Sequence, residues 1–253
     1  MNNPSTLALG EDRKIAYHKT DARGEGETQP GVVFLGGFKS DMEGTKALHL
    51  EAWAQASGRA FLRFDYTGHG QSSGDFEAGC IGDWARDARE TIEALTTGPQ
   101  ILVGSSMGGW ISCLFLRARP DLVAGFVGVA AAPDFTEDSM WAGMDEATRA
   151  RLTSEGRIEE PSEYSDDPYV ITRRLIEDGR NQLVLRTPLT APFPVRLLQG
   201  SADADVAPAV AQALFEHLDG PDIQLTLVKG ADHRFSGPAE LALLTDTVER
   251  LPL

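Results

Sequence analysis

The sequence predicts an α/β protein: a mostly parallel, twisted sheet with helices on both faces and a helical segment inserted late in the chain. Three observations predict it. Short, continuous apolar runs recur along the chain, as in strands covered on both faces. Amphipathic stretches at helical spacing separate them. One run, Ile101-Leu102-Val103, leads directly into Gly104-Ser105-Ser106-Met107-Gly108-Gly109, a G-x-S-x-G pattern that reads as strand, sharp turn and helix.

The elements follow in order. Leu7 to Ala16 reads as one or two short antiparallel strands, and a polar, glycine-rich link runs from Asp21 to Pro30. Gly31 to Leu35 is the first fully apolar strand. Glu43 to Ser57 reads as a helix with Leu48, Leu50, Trp53 and Ala54 inward. Arg59 to Phe64 is the next strand. Asp83 to Leu95 is a charged helix with Trp84, Ala88, Ile92 and Leu95 on one face. Gln100 to Val103 is a strand, Met107 to Arg119 a helix stopped by Pro120, and Leu122 to Val129 a strand. Pro194 to Leu198 and Ile223 to Val228 are further strands, with a helix from about Pro208 to Leu218 between them and another from about Pro238 to Arg250.

One segment breaks this rhythm. From Asp134 to about Pro192 the chain is acidic and helical in flavour, without a clear buried strand. Bulky apolar residues stand among its charges: Met140, Trp141, Met144, Tyr164, Tyr169, Ile171, Leu175 and Ile176. We expect residues 134–192 to form a cap over the C-terminal edge of a core made of residues 1–133 and 193–253.

Composition excludes several functions. The formal net charge of -15 repels phosphate backbones and anionic lipid heads, so binding to nucleic acid or membrane is not expected. No apolar stretch approaches the ~20 residues of a bilayer span. The opening residues lack a basic segment leading into an apolar core. Cys80 and Cys113 belong to no C-x-x-C or Cys/His cluster, so neither a disulfide framework nor a zinc site is expected. The expected compartment is therefore the cytoplasm, and no metal or cofactor is expected.

The chemistry starts from Ser106. A serine hydroxyl needs a general base, and the base needs an orienting partner. In the elbow architecture these follow in the order serine, acid, histidine, each after a later strand. Asp203 lies in Gly200-Ser201-Ala202-Asp203 after the strand ending at Leu198, and His233 follows the strand ending at Val228. Asp205 is the rival acid; Asp203 is preferred because it lies nearer the strand end. Oxyanion donors are expected from the N–H of Met107 and from the loop Gly36-Gly37-Phe38-Lys39-Ser40, with Phe38 as the candidate. Gly37, Lys39, His69 and Trp141 are candidate substrate contacts. His69 has an alternative as a brace of its own loop.

With these residues in place, the chain resembles the serine α/β-hydrolases from about Gly31 to Leu251. The resemblance rests on Phe34-Leu35-Gly36-Gly37-Phe38, on Arg63 to Ser72, on Val103 to Trp110, on Gly200 to Asp203 and on Asp232-His233. It implies an eight-stranded α/β-hydrolase sheet and acyl transfer through a serine ester. More narrowly, Gly36 to Met42, Gly98 to Ser106, Pro194 to Leu198 and Asp232-His233-Arg234 resemble the mitochondrial branch with acyl-protein thioesterase and acyl-glucuronide esterase activity. That implies a small acyl ester or thioester substrate. A perhydrolase or lyase on the same triad and a non-catalytic ligand receptor are the alternatives; a dehalogenase is disfavoured because serine stands where that class uses aspartate.

Overall fold

In the computed structural model, which describes residues 3–160 and 169–252, the chain opens with an antiparallel pair, β1 (Ser5–Ala8) and β2 (Lys14–Thr20). Strands and helices then alternate: β3 (Val32–Leu35), α1 (Thr45–Ser57), β4 (Phe61–Phe64), α2 (Ile81–Leu95), β5 (Gln100–Ser105), α3 (Met107–Ala118) and β6 (Val123–Val129). An excursion follows. It contains a π-helical turn (Thr136–Trp141), α4 (Glu146–Glu155), the antiparallel pair β7 (Arg157–Glu160) and β8 (Tyr169–Thr172), α5 (Arg173–Asn181) and a two-residue strand, β9 (Leu189–Thr190). The alternation resumes with β10 (Val195–Gly200), α6 (Pro208–His217), the short β11 (Leu218–Asp219), β12 (Ile223–Val228) and α7 (Pro238–Glu249).

The main sheet has eight strands in the order β1-β2-β4-β3-β5-β6-β10-β12, and β2 alone runs against the rest. From β3 the chain steps to β4 on one side and then returns to β5 on the other. Their C-terminal ends therefore diverge into a crevice, the place where open α/β sheets bind ligands.

Period-two alternation divides the core. Val33, Leu35 and Leu102 face one layer with Trp84, Ala88, Trp110 and Ile111; Val32, Phe34, Ile101 and Val103 face the other with Ala47, Leu50, Leu244 and Val248. β3 and residues Ile101 to Val103 of β5 are apolar throughout because both faces are covered. α1 buries Ala47, Leu50 and Ala54, whereas Leu48 and Trp53 of the expected inner face are half-buried. Arg59 lies over the Trp53 ring at 5.6 Å.

Residues 134–192 have their own small core of Leu152, Ile158, Ile171 and Ile176, flanked by Met140, Trp141 and Met144. The β7–β8 pair departs from the expectation of helix alone. Its inward residues, Ile158 and Ile171, stand on strands of only four residues each, too short a pattern to stand out in an acidic segment. Tyr164 lies outside the described residues. Entry and exit of the excursion are clipped together by the fully buried Asp134. Its carboxylate accepts from the N–H groups of Val184 (2.8 Å) and Leu185 (3.0 Å) and pairs with Arg186 (3.2 Å). α5 is moored to the main body by Asp178, which accepts from the Gly82 N–H (2.7 Å) in the first turn of α2, where the helix dipole favours a carboxylate.

Candidate active site

Ser106 stands between β5 and α3 with φ 53° and ψ -118°. An L-residue adopts that backbone only where its surroundings enforce it. Here its N–H donates to the Val129 carbonyl (2.9 Å), and its own carbonyl accepts from Gly109 (2.9 Å) and Ala132 (3.1 Å). Gly108 lets α3 press against the end of β3: a Cβ there would sit 2.0 Å from the Leu35 carbonyl oxygen. At Gly104 it would meet the Gly108 carbonyl oxygen at 2.4 Å. The sharp turn thus depends on glycine for close packing.

The loop after β3 closes on this turn from the other side of the crevice. A Cβ on Gly37 would lie 3.4 Å from the Ser106 Cβ and 3.9 Å from its Oγ. Next comes Phe38, whose N–H has no hydrogen-bond partner among the described residues. Met107 opens α3, where the N–H has no intrahelical acceptor. The Phe38 ring is fixed by Phe76, Phe135 and Tyr169 at 5.0, 5.8 and 6.0 Å between centroids. Asp65, buried behind it, accepts from the N–H groups of Met42 (2.7 Å) and Gln71 (2.8 Å), tying the loops after β3 and β4 together.

Asp203 and His233, thirty residues apart, meet after β10 and β12. Nδ1 of His233 lies 3.0 and 3.1 Å from the two Asp203 oxygens. The same carboxylate accepts from Gln199 Nε2 (2.9 Å) and the N–H groups of Asp205 (3.0 Å) and Val206 (2.8 Å). Burial raises the Asp203 pKa, but the His233 and Val206 hydrogen bonds and the Gln199 amide outweigh it, so the carboxyl is held below its ordinary value. Asp205 offers a carboxylate oxygen within 4.8 Å of the atoms of Asp203 and His233. Because Nδ1 and both Asp203 oxygens are already hydrogen-bonded, this cluster is built to orient a ring rather than to ligate a metal.

Ser106 and His233 open on to one cavity of about 450 Å³. No hydrogen bond joins them among the described residues, a looseness common in sites without substrate. Gly37, Phe38 and Lys39 line the same cavity, together with Lys46, Val206 and Arg234. Its roof comes from the excursion: Phe135, Ser139, Met140, Tyr169 and Ile171.

Two expected substrate contacts are corrected. Trp141 does not face the cavity: its ring takes Arg149 and Arg180 at 5.2 and 4.5 Å and covers the small core of the excursion. His69 is only 3% exposed, packed edge-on against Tyr66, Phe76 and Trp84, with Nδ1 on the Thr67 carbonyl (3.3 Å). It braces its loop, and burial lowers its pKa to about 4. Phe135, Ser139, Lys46 and Val206 had no motif to betray them. They reach the cavity through tertiary placement, although Met140, Tyr169 and Ile171 stood out as apolar residues in a charged stretch.

Comparison with known proteins agrees with the geometry. A family model described as the alpha/beta hydrolase family matches residues 32–242. Bovine palmitoyl-protein thioesterase ABHD10, mitochondrial, is 36% identical over 248 residues, covering 98% of this chain and 79% of the relative. A solved hydrolase structure from Agrobacterium vitis S4 superposes with a TM-score of 0.92 at 38% identity, covering 98% of this chain and 97% of its own. Mouse alpha/beta hydrolase domain-containing protein 10 gives 0.89 at 30% identity, with 99% and 98% covered. The mitochondrial name of the bovine relative overturns the cytoplasmic expectation. That expectation leaned on the composition of the opening residues and on two cysteines, and neither distinguishes one reducing compartment from another. A nucleophile-elbow turn at the sheet's switch point, a following acid and histidine in contact, and matches across nearly the whole length lead to one assignment: the chain belongs to the α/β-hydrolase family.

Proposed function

We propose that this α/β-hydrolase cleaves an acyl thioester or ester through a serine acyl-enzyme, with Ser106 as nucleophile, His233 as general base and Asp203 as the group that orients it. The observation that carries the reading is the Asp203–His233 contact (3.0 Å) opening on to the cavity that holds Ser106. Asp203 accepts the Nδ1 proton, which leaves Nε2 free to take the proton of the Ser106 hydroxyl. Attack on the acyl carbon gives a tetrahedral oxyanion, for which the N–H groups of Phe38 and Met107 are the donors. Collapse expels the thiol or alcohol, which receives the proton from His233. Water then repeats the sequence in reverse and frees the acid.

Residues 134–192 act in this reading as the cap. Phe135, Met140, Tyr169 and Ile171 hold the acyl chain, in a cavity within the roughly 300–1,000 Å³ of small-molecule sites. The relatives named palmitoyl-protein thioesterases support a fatty acyl thioester as the substrate class. A series of acyl thioesters and matched oxoesters of rising chain length tests it, with Ser106→Ala as blank. Saturable hydrolysis that vanishes in Ser106→Ala is the expected result. Turnover that survives Ser106→Ala refutes the nucleophile.

A further inference from the structure

We infer that Lys46 is a positioning residue for the reaction, an ammonium clamp that holds the His233 loop against α1; the inference rests on the serine hydrolase reading above. Lys46 is the second residue of α1, and its Nζ donates to the carbonyl of Arg234, the residue next to His233. It also lines the cavity that holds Ser106. The contact joins two segments 188 residues apart in sequence, in the layer where α1 packs beside α7.

The placement is electrostatically unfavourable on local grounds. A cation in the first turn of a helix faces the positive end of the dipole, and this one is half-buried. Burial lowers its pKa to about 8, an effect that Asp232 and Asp203 oppose and Arg234 reinforces. The Arg234 carbonyl and the carboxylates of Asp232 and Asp203 draw it toward the loop after β12, and the backbone that carries His233 is pinned by the contact.

The groups around it are few. The loop after β12 presents Asp232, His233 and Arg234; the loop after β10 presents Asp203 and Asp205; the loop after β3 presents Lys39. On its own helix, His49 is engaged with Thr245 of α7 at 2.9 Å. Glu43, just before the helix, is engaged with Arg63 at 2.7 Å. With Lys46 protonated, the clamp is a charge-assisted hydrogen bond. As pH rises through about 8 the charge is lost, the clamp weakens, and the imidazole is held less firmly over the hydroxyl. A misplacement of about 1 Å at a reacting group costs on the order of 100-fold in rate.

The test is the second-order rate at which a fluorophosphonate labels Ser106, measured from pH 6 to pH 10 in wild type, Lys46→Met and Lys46→Gln. Circular dichroism checks that each variant is folded. We expect labelling of Lys46→Met to slow by about 10-fold to 100-fold at pH 7. Lys46→Gln, which keeps an N–H donor, should lie between it and wild type. Wild type should lose rate above about pH 8, and both variants should lack that limb. Should Lys46→Met not fold, Lys46→Gln carries the test by the missing alkaline limb. Variant rates within twofold of wild type, or a slower rate with the alkaline limb unchanged, overturn the clamp. A wild type that is not labelled at all overturns the nucleophile itself, which separates the two failures.

Discussion

Replacing Asp203 with asparagine changes one oxygen into an amide nitrogen and tests the orienting role directly. In the native site every lone pair of Asp203 has a donor: His233 Nδ1, Gln199 Nε2 and the N–H groups of Asp205 and Val206. Oδ1 takes both backbone donors, so an asparagine would keep its oxygen there and turn its NH2 toward Gln199 and His233. Two consequences follow. The Gln199 NH2 loses one acceptor and keeps the Val206 carbonyl (3.0 Å), which costs about 1 kcal/mol of stability. The imidazole, now facing a donor, takes the tautomer with its proton on Nε2 and cannot accept the proton of Ser106. A wrong tautomer of this kind lowers turnover about 10⁴-fold, or ~5 kcal/mol in the barrier. The assay is hydrolysis of the best acyl thioester at pH 7.5 with Ser106→Ala subtracted, beside a urea unfolding curve. Asp205→Asn is the control and should stay within about threefold, because Asp205 contributes its backbone N–H to Asp203. Activity of Asp203→Asn within tenfold of wild type would falsify the orienting role, and a larger loss in Asp205→Asn would transfer it to the rival carboxylate.

Three further outcomes are expected. His69 is neutral in the fold, with a pKa of about 4 against 6.5 for the free side chain, so the unfolded chain binds the extra proton between those values. Its contribution to stability is therefore complete above pH 6.5 and falls as the pH drops toward 4. His69→Phe should remove roughly 3 kcal/mol of that acid sensitivity, read as the difference in unfolding free energy between pH 7 and pH 4 in the two chains; equal slopes would show that the ring is not held neutral. Ser106→Gly relieves the backbone at φ 53° and should be more stable than Ser106→Ala by about 1 kcal/mol or more; calorimetry that ranks them the other way removes the claim of strain. Ile171→Trp fills the cavity from its cap side and should shift the preferred acyl chain to shorter lengths, each methylene carrying ~1–3 kcal/mol. An unchanged chain-length profile places the acyl group elsewhere.

What was legible in the sequence is what depends on local pattern. Val32 to Leu35 and Ile101 to Val103 are apolar on both faces because both are covered, and a strand with that property shows itself in any window. Ser106, Asp203 and His233 each follow the end of a strand, so locating the strands located them as well. Phe38 is fixed by the same logic, since the end of β3 meets the start of α3.

What was not legible depends on which way a side chain points once distant elements pack. Trp141 and Met140 are neighbours among the same charges, yet Met140 faces the cavity and Trp141 is taken by Arg149 and Arg180. Nothing in their immediate sequence distinguishes them, because the difference is set by Arg149 and by Arg180 on α5, nearly forty residues away. His69 sits in a glycine-rich loop that would suit a ligand, but Phe76 and Trp84, from later elements, close over it. Lys46 is the sharpest case. Its sequence setting, a lysine in the first turn of an amphipathic helix, is that of a solvated surface charge. Only the loops after β10 and β12 bring a carbonyl and two carboxylates to it. The scaffold of the chemistry is thus written in strand ends, whereas the selection of substrate is written in contacts between segments far apart, and mutations in residues 134–192 should move chain-length preference before they move the serine's reactivity.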